Sequence, residues 1–442
     1  MKRQLLSFSL CLLILVVRAQ DLYFPPLNNS LSWDTVSPAA LGWCTDKIAP
    51  LYDFLQQENT KGFIILKDGK IALEKYFGTF TIDSIWYWAS AGKTITSFLV
   101  GRAQEEGYLS ILDSSSRFLG AGWTNCTPIQ EGKITIRNQL TMTTGLDDGV
   151  PDNHCTIDTC LNYLADPGTR WAYHNAPYTL LEKVLENSTG SQVNTYTQQK
   201  LKNQTGMTGF WLTIEYDNVF FSIARSMARF GLLIQNNCIW EKDTLLKDSS
   251  YIHQMTNTSQ SLNYSYGYLW WLNGKESYML PTVQYVFPGS YAPQAPADMF
   301  SALGKNGQIL SIAPSKGIVF VRMGNQPDSP SSEVPNLFCN EIWIRLNEIM
   351  CSSNSIGDFA SRSLKVHIYP NPINDKAEIT IEGVPSAGEK TFSLSDCLGN
   401  EICKKKFSGS RFEFFRSDIS PGMYFLRITG DNLIATGKLI LE

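Results

Sequence analysis

The spacing of apolar and polar residues changes character twice along this chain. At the N-terminus, Met1-Lys2-Arg3 precedes a mostly apolar run from Leu5 to Val17, followed by Val17-Arg18-Ala19. A basic start, a short apolar middle and a small residue at the cut predict a secretory signal peptide over residues 1–19. The 13-residue run is too short for a bilayer span of about 20 residues. Helical and strand periods then mix. Phe98 to Glu106 reads as a helix ended by Gly107, and Ile134 to Leu146 as a short β stretch, a helix and a turn. Ser222 to Gly231 reads as an amphipathic helix, and Ile309–Ile312 and Gly317–Arg322 as strands. A Ser/Gly/Asn stretch from Cys351 to Asp358 predicts a linker. Beyond it the period drops to two, in Leu364–Tyr369, Ala377–Ile381, Thr391–Leu394, Met423–Ile428 and Thr436–Ile440. Short alternating strands punctuated by turn residues predict a small β-sandwich. The expected organisation is therefore residues 1–19 as signal peptide, 20–355 as a main domain and 356–442 as an all-β tail.

Composition agrees with two folded parts. The chain has 442 residues, 43% hydrophobic and 18% charged, more than one core usually accommodates at about 250–300 residues. Net charge is −4. Loss of residues 1–19 removes Lys2, Arg3 and Arg18 and no acidic residue, leaving −7. No basic stripe stands out, so nucleic acid is not an expected partner. Of ten cysteines, Cys11 lies in the signal segment and nine remain. Export permits disulfides, and Cys155 and Cys160 form the best local pair. A metal site using His154, Asp158 and both cysteines is the alternative, but only three other histidines exist. No metal and no organic cofactor is expected.

The candidate chemistry centres on Ser90-Ala91-Gly92-Lys93 and, 83 residues later, Tyr173-His174-Asn175. Side chains three apart at a helix start share a face, with Cβ atoms about 5–6 Å apart. A serine hydroxyl becomes a useful nucleophile when a nearby base takes its proton. Lys93, amid Trp86, Trp88, Ile95 and Phe98, is expected to be buried, which lowers a lysine's pKa. Taken alone, Ser90 could be a helix N-cap, and Tyr173 a core aromatic among 19 tyrosines.

These motifs, with Thr143-Thr144-Gly145-Leu146 and Pro167-Gly168-Thr169-Arg170-Trp171 in order between and before them, resemble the serine β-lactamase and penicillin-binding-protein superfamily. The likeness runs over roughly residues 45–350 and points to the class C-related esterases, peptidases and amide hydrolases. It implies an α/β fold in which an antiparallel sheet is flanked by helices, with a helical subdomain, ahead of the all-β tail. It also implies acyl transfer through Ser90, with Lys93 and Tyr173 as base and proton relay and Asn175 holding Lys93 or a substrate carbonyl. The third family element, normally Lys-Thr-Gly or His-x-Gly, falls at Ala302-Leu303-Gly304. The residues that would clamp a lactam carboxylate are missing there, which favours ester or amide substrates, small or peptide-like. The backbone N–H of Lys305, with that of Ser90, would form the oxyanion hole. A true β-lactamase, or a penicillin-binding sensor without turnover, is the alternative, and an adhesin with a vestigial site is a third. An α/β-hydrolase is rejected, because Trp88 stands where the first glycine of Gly-x-Ser-x-Gly belongs and no histidine falls convincingly late in the catalytic part.

The tail resembles the C-terminal sorting domain of type IX secretion, through Tyr369-Pro370-Asn371-Pro372, Asp396-Cys397-Leu398-Gly399, Ile419-Ser420-Pro421-Gly422-Met423-Tyr424 and the closing Gly437-Lys438-Leu439-Ile440-Leu441-Glu442. It implies engagement of that machinery and passage through the periplasm to release or cell-surface attachment. The sandwich carries no row of aromatics of the kind that stacks carbohydrate.

Overall fold

The computed structural model describes residues 22–28, 32–328, 334–351, 366–381, 388–396, 401–430 and 433–441. The signal segment 1–19, the linker stretch after Cys351, Cys397-Leu398-Gly399 and Glu442 lie outside the described residues. The chain divides into two compact units, 1–352 and 353–442.

The first unit opens with helix α1 (Ile48–Gln57), strands β1 (Thr60–Lys67) and β2 (Lys70–Tyr76), a short strand β3 (Trp86–Tyr87) and helix α2 (Lys93–Glu105). Helix α3 (Asn175–Thr189) precedes a hairpin of β4 (Phe210–Ile214) and β5 (Asp217–Ser222), and then helix α4 (Ala224–Gln235). Strands β6 (Trp271–Leu272), β7 (Phe300–Gly304), β8 (Gln308–Ala313) and β9 (Ile318–Gly324) and helix α5 (Asn336–Ile349) complete it. The main sheet runs β2-β1-β9-β8-β7-β6, all antiparallel. Every residue of β7, β8 and β9 is buried. Helices cover both faces, which is why these strands read as continuous apolar runs rather than alternating ones. Helix α4 lies on the Leu310 and Val319 face, so close that a Cβ on Gly231 would stand 2.6 Å from each of those side chains. Helix α5 covers the opposite face, where Trp343 packs edge-on to Phe320 and donates to Ser311 Oγ at 3.2 Å.

The expected helices form with shifted bounds. The one read from Phe98 begins at Lys93, because the apolar and small residues from Ala89 onward already turn as a 3-10 segment. The β stretch at Ile134 is only an isolated bridge from Thr135 to Ser114. It leads into a one-turn helix (Ile136–Leu140) whose capping box pairs Thr135 with Asn138. The helix read as amphipathic is α4, and all residues from Ala224 to Ile234 are buried. Its arginines are accommodated by partners: Arg225 forks onto Glu74 at 2.7 Å, and Arg229 donates to the carbonyls of Thr205, Pro25 and Pro26.

Cysteines 155 and 160 are joined, so their thiolates are not available to a metal, and among the described residues no cluster suited to a metal ion forms. A second disulfide links Cys44 to Cys351 across 307 residues. No described helix is long and apolar enough to cross a membrane.

The second unit is two antiparallel sheets. One pairs Val366–Tyr369, Lys376–Ile381 and Arg411–Phe415, and the other orders Glu401–Ser408, Glu389–Ser395, Gly422–Gly430 and Leu433–Leu441. Alternate residues such as Ile379, Ile381, Phe392, Leu394, Leu426 and Leu439 fill the space between them. Two strands, 401–408 and 411–415, went unread in the sequence, because three consecutive exposed lysines interrupt the first and the second is only five residues long. Asn371 closes the sandwich: its side chain accepts from Ile440 N at 2.9 Å and donates to Lys438 O at 3.0 Å.

Candidate active site

Ser90 sits on the short 3-10 turn Ala89–Gly92 that leads directly into α2. Two features fix that turn. Trp88, fully buried, donates from Nε1 to Ser222 Oγ at 2.8 Å, while β3 pairs with β5 through Trp86 with Ser222 and Tyr87 with Phe221. Ala89 adopts a positive φ of 48°, a conformation uncommon outside glycine. The chain is thus bent just before the serine, which stands partly exposed at the start of a helix. A helix start favours negative charge.

Lys93 is 4% exposed. Its Nζ donates to Ser90 Oγ at 2.9 Å and to Asn175 Oδ1 at 2.9 Å. Burial pulls its pKa down from 10.5 to about 8, against the opposing pull of Asp217 and Glu182. Glu182 is a weak opponent, since its own burial pushes it up to about 8. The ring of Tyr178 lies 4.2 Å from Nζ and that of Tyr173 5.2 Å. Asn175 is the first residue of α3. Its amide nitrogen faces Asn153 Oδ1 at 3.1 Å and His154 Nε2 at 3.2 Å. His154 Nδ1 in turn lies 2.7 Å from Asp217 Oδ2.

Tyr173 stacks on Trp271 at 5.8 Å and meets Trp171 and Tyr266 edge-on or tilted. The Tyr266–Trp271 segment thus backs Tyr173, and Trp270 packs into the core against Phe230 and Phe300. Gly304 ends β7 directly beside the serine turn. A Cβ there would collide with the carbonyl oxygen of Trp88 and stand 3.2 Å from Ser90 N. The following Lys305-Asn306-Gly307 turn is pinned by buried Arg322, which donates to Asn306 O at 2.8 Å and Gly307 O at 3.0 Å. Ala302 and Leu303 are both buried and add no charge to the site.

A cleft of about 350 Å³ gathers Ser90, Lys93, Asn175 and Lys305 along its wall. Tyr87, Ile214, Val219 and Phe221 supply its apolar side. Besides the apolar side and Asn218, sequence reasoning missed the site roles of three lining residues. Tyr178 hid in a helical stretch, Asp217 carried no motif, and His154 was weighed only as a metal ligand beside its cysteines. Among the described residues, Asp158, Gly304 and Tyr173 are not part of the cleft wall, and Tyr173 is placed beside Lys93 with its ring 5.2 Å from Nζ. The only available signal for His154 was that Cys155 and Cys160 tether the loop it begins.

The sequence profile of the Beta-lactamase family matches residues 55–337, well over half of the chain. The chain belongs to that family. Residues 367–442 match the Secretion system C-terminal sorting domain, so the second unit is a sorting tail for export. Solved structures share the fold at low identity. The candidate 6-aminohexanoate-dimer hydrolase of Bacillus anthracis is 18% identical with a TM-score of 0.55, covering 74% of this chain and 89% of its own. A penicillin-binding protein homologue from Caulobacter crescentus is 14% identical with a TM-score of 0.51, covering 70% and 98%. EstCE1, a hydrolase with promiscuous acyltransferase activity, is 14% identical with a TM-score of 0.50, covering 71% and 99%. No curated protein gives a significant match.

Proposed function

We propose that this protein is an exported serine hydrolase that cleaves an ester or amide through an acyl-enzyme on Ser90. The observation that carries this reading is the placement of Lys93 Nζ at 2.9 Å from both Ser90 Oγ and Asn175 Oδ1 in a buried setting. With its pKa lowered to about 8, the amine is partly neutral near physiological pH. Asn175 Oδ1 takes one of its N–H groups, which leaves the nitrogen lone pair for the serine proton. Ser90 Oγ then attacks the acyl carbon, and its proton passes to Lys93, with Tyr173 as the relay towards the leaving group. The negative charge that develops on the carbonyl oxygen is taken by the backbone N–H groups of Ser90 and Lys305. Collapse expels the alcohol or amine with that proton, and water later releases the acid and restores Ser90.

Ala302 and Leu303, uncharged and buried at the end of β7, favour substrates without the carboxylate that a β-lactam presents. The hydrolase and acyltransferase description of EstCE1 agrees with an acyl-transfer reading. Export to the cell surface or medium through the type IX machinery follows from the tail, with residues 1–19 as the signal for the first membrane.

The test is intact mass after p-nitrophenyl acetate, nitrocefin and a fluorophosphonate probe, each beside Ser90→Ala. A Ser90-dependent adduct with turnover of the acetate ester and not of nitrocefin is expected. Ser90→Ala should lower turnover at least about a thousandfold. Activity of that variant near the starting level refutes the mechanism.

A further inference from the structure

His154 and Asp217 lie in the same cleft, yet the acyl transfer just described does not use them. Their geometry is directional. Lys93 Nζ donates to Asn175 Oδ1 at 2.9 Å, so the amide nitrogen faces the other way. There it meets His154 Nε2 at 3.2 Å, which must act as the acceptor. The proton of a neutral His154 ring therefore belongs on Nδ1, which lies 2.7 Å from the Asp217 carboxylate. Asp217 is itself steadied by Thr179 Oγ1 at 3.4 Å. The result is one hydrogen-bonded line, Asp217 to His154 to Asn175 to Lys93 to Ser90.

We propose that His154, in its Nδ1–H tautomer set by Asp217, is a positioning residue that locks the Asn175 amide with its oxygen on Lys93. This rests on the hydrolase reading above. Protonation of His154 would set an N–H against the Asn175 amide nitrogen. The amide must then lose that contact or turn, and turning points its nitrogen at Lys93. Acid therefore disables the lysine through Asn175 rather than only by protonating it. The charged and titratable groups around His154 are Asp217, Lys93 behind Asn175, Lys305 in the same cleft and buried His174. Asp152 Oδ1 holds the His154 backbone N–H at 3.0 Å. Asn153, which also accepts from Asn175, and His154 both sit at the start of the loop closed by the Cys155–Cys160 disulfide, so the lock is built on a tethered segment.

The experiment compares p-nitrophenyl acetate hydrolysis over pH for the full chain and three variants. His154→Ala should lower kcat about tenfold to a hundredfold with KM little changed. His154→Gln, whose amide oxygen can accept from Asn175 without titrating, should recover most of kcat and lose the acid limb attributed to His154. Asp217→Ala removes the acceptor of the Nδ1 proton, so kcat should fall towards that of His154→Ala. Wild-type kcat in His154→Ala, or an unchanged acid limb in His154→Gln, overturns the proposal. Nitrogen-15 NMR of the labelled full chain reads the tautomer whether or not any ester turns over. Nδ1–H is expected, and Nε2–H would refute the lock. Ester hydrolysis that survives Ser90→Ala would refute the hydrolase reading, while the NMR result judges the lock separately.

Discussion

Lys93 carries the most consequential single-residue effect, because burial and the contacts with Ser90, Asn175, Tyr173 and Tyr178 act on one amine. Its charged form is disfavoured in the fold, with a pKa near 8 where an ordinary lysine has 10.5. If neutral Lys93 is the base, hydrolysis rises as pH climbs through about 8 and levels off above it, as initial rates over pH 6–10 would show. Lys93→Arg, whose guanidinium stays charged, should abolish turnover rather than displace the profile. A retained and merely shifted profile would assign the base elsewhere. The same shift has a stability sign. Between about 8 and 10.5 the unfolded lysine holds its proton and the buried amine does not, so this group's penalty disappears as pH rises through that window and is in full force below about 8.

At the scale of elements, the site depends on how closely the end of β7 approaches the 3-10 turn carrying Ser90. Gly304 has an extended backbone, φ −132° and ψ 152°, which any residue can adopt. Space alone demands the glycine, since a Cβ would strike the Trp88 carbonyl. Gly304→Ala should cost about 1–3 kcal/mol through overpacking in urea unfolding. By displacing the backbone donors it should also lower kcat about a hundredfold to a thousandfold. An alanine variant with unchanged kcat would show that the oxyanion is held by other groups. The β4–β5 hairpin has a similar organising role, since Ser222 anchors Trp88 from below while Asp217 reaches His154 from its other end.

Over the whole molecule, the division at about residue 352 predicts separable tasks. The Cys44–Cys351 disulfide lies entirely within the first unit and ties its N-terminal part to the end of α5. A chain ended after residue 355 should keep esterase activity and fail to reach the cell surface, as fractionation and activity of the secreted material would reveal. Replacing Cys44 and Cys351 with serine should lower unfolding stability by about 2–5 kcal/mol while leaving the Ser90 adduct intact. An inactive but natively folded truncation would contradict the domain assignment.

Much of this was legible in sequence because it is encoded locally. Ser90 and Lys93 lie within one helical turn, Tyr173 and Asn175 within one triplet, and the Cys155–Cys160 pair within one loop. The two-residue period of the tail marked several strands of its sandwich. The strongly charged strand 401–408 lacked that signature, since the sheet exposes most of its residues. The bounds of α2 were misread because the 3-10 turn at Ala89 depends on Trp88 being held by β5, and that pairing joins residues more than 130 apart. Only the tertiary structure brought Asp217 and His154 to Asn175, and Cys351 to Cys44. Those partners are separated by tens to hundreds of residues, and no local propensity records which distant side chain will end a hydrogen bond. The sequence by itself determined the reactive groups and their class. Packing decided the burial that shifts Lys93 and the direction in which the Asn175 amide points.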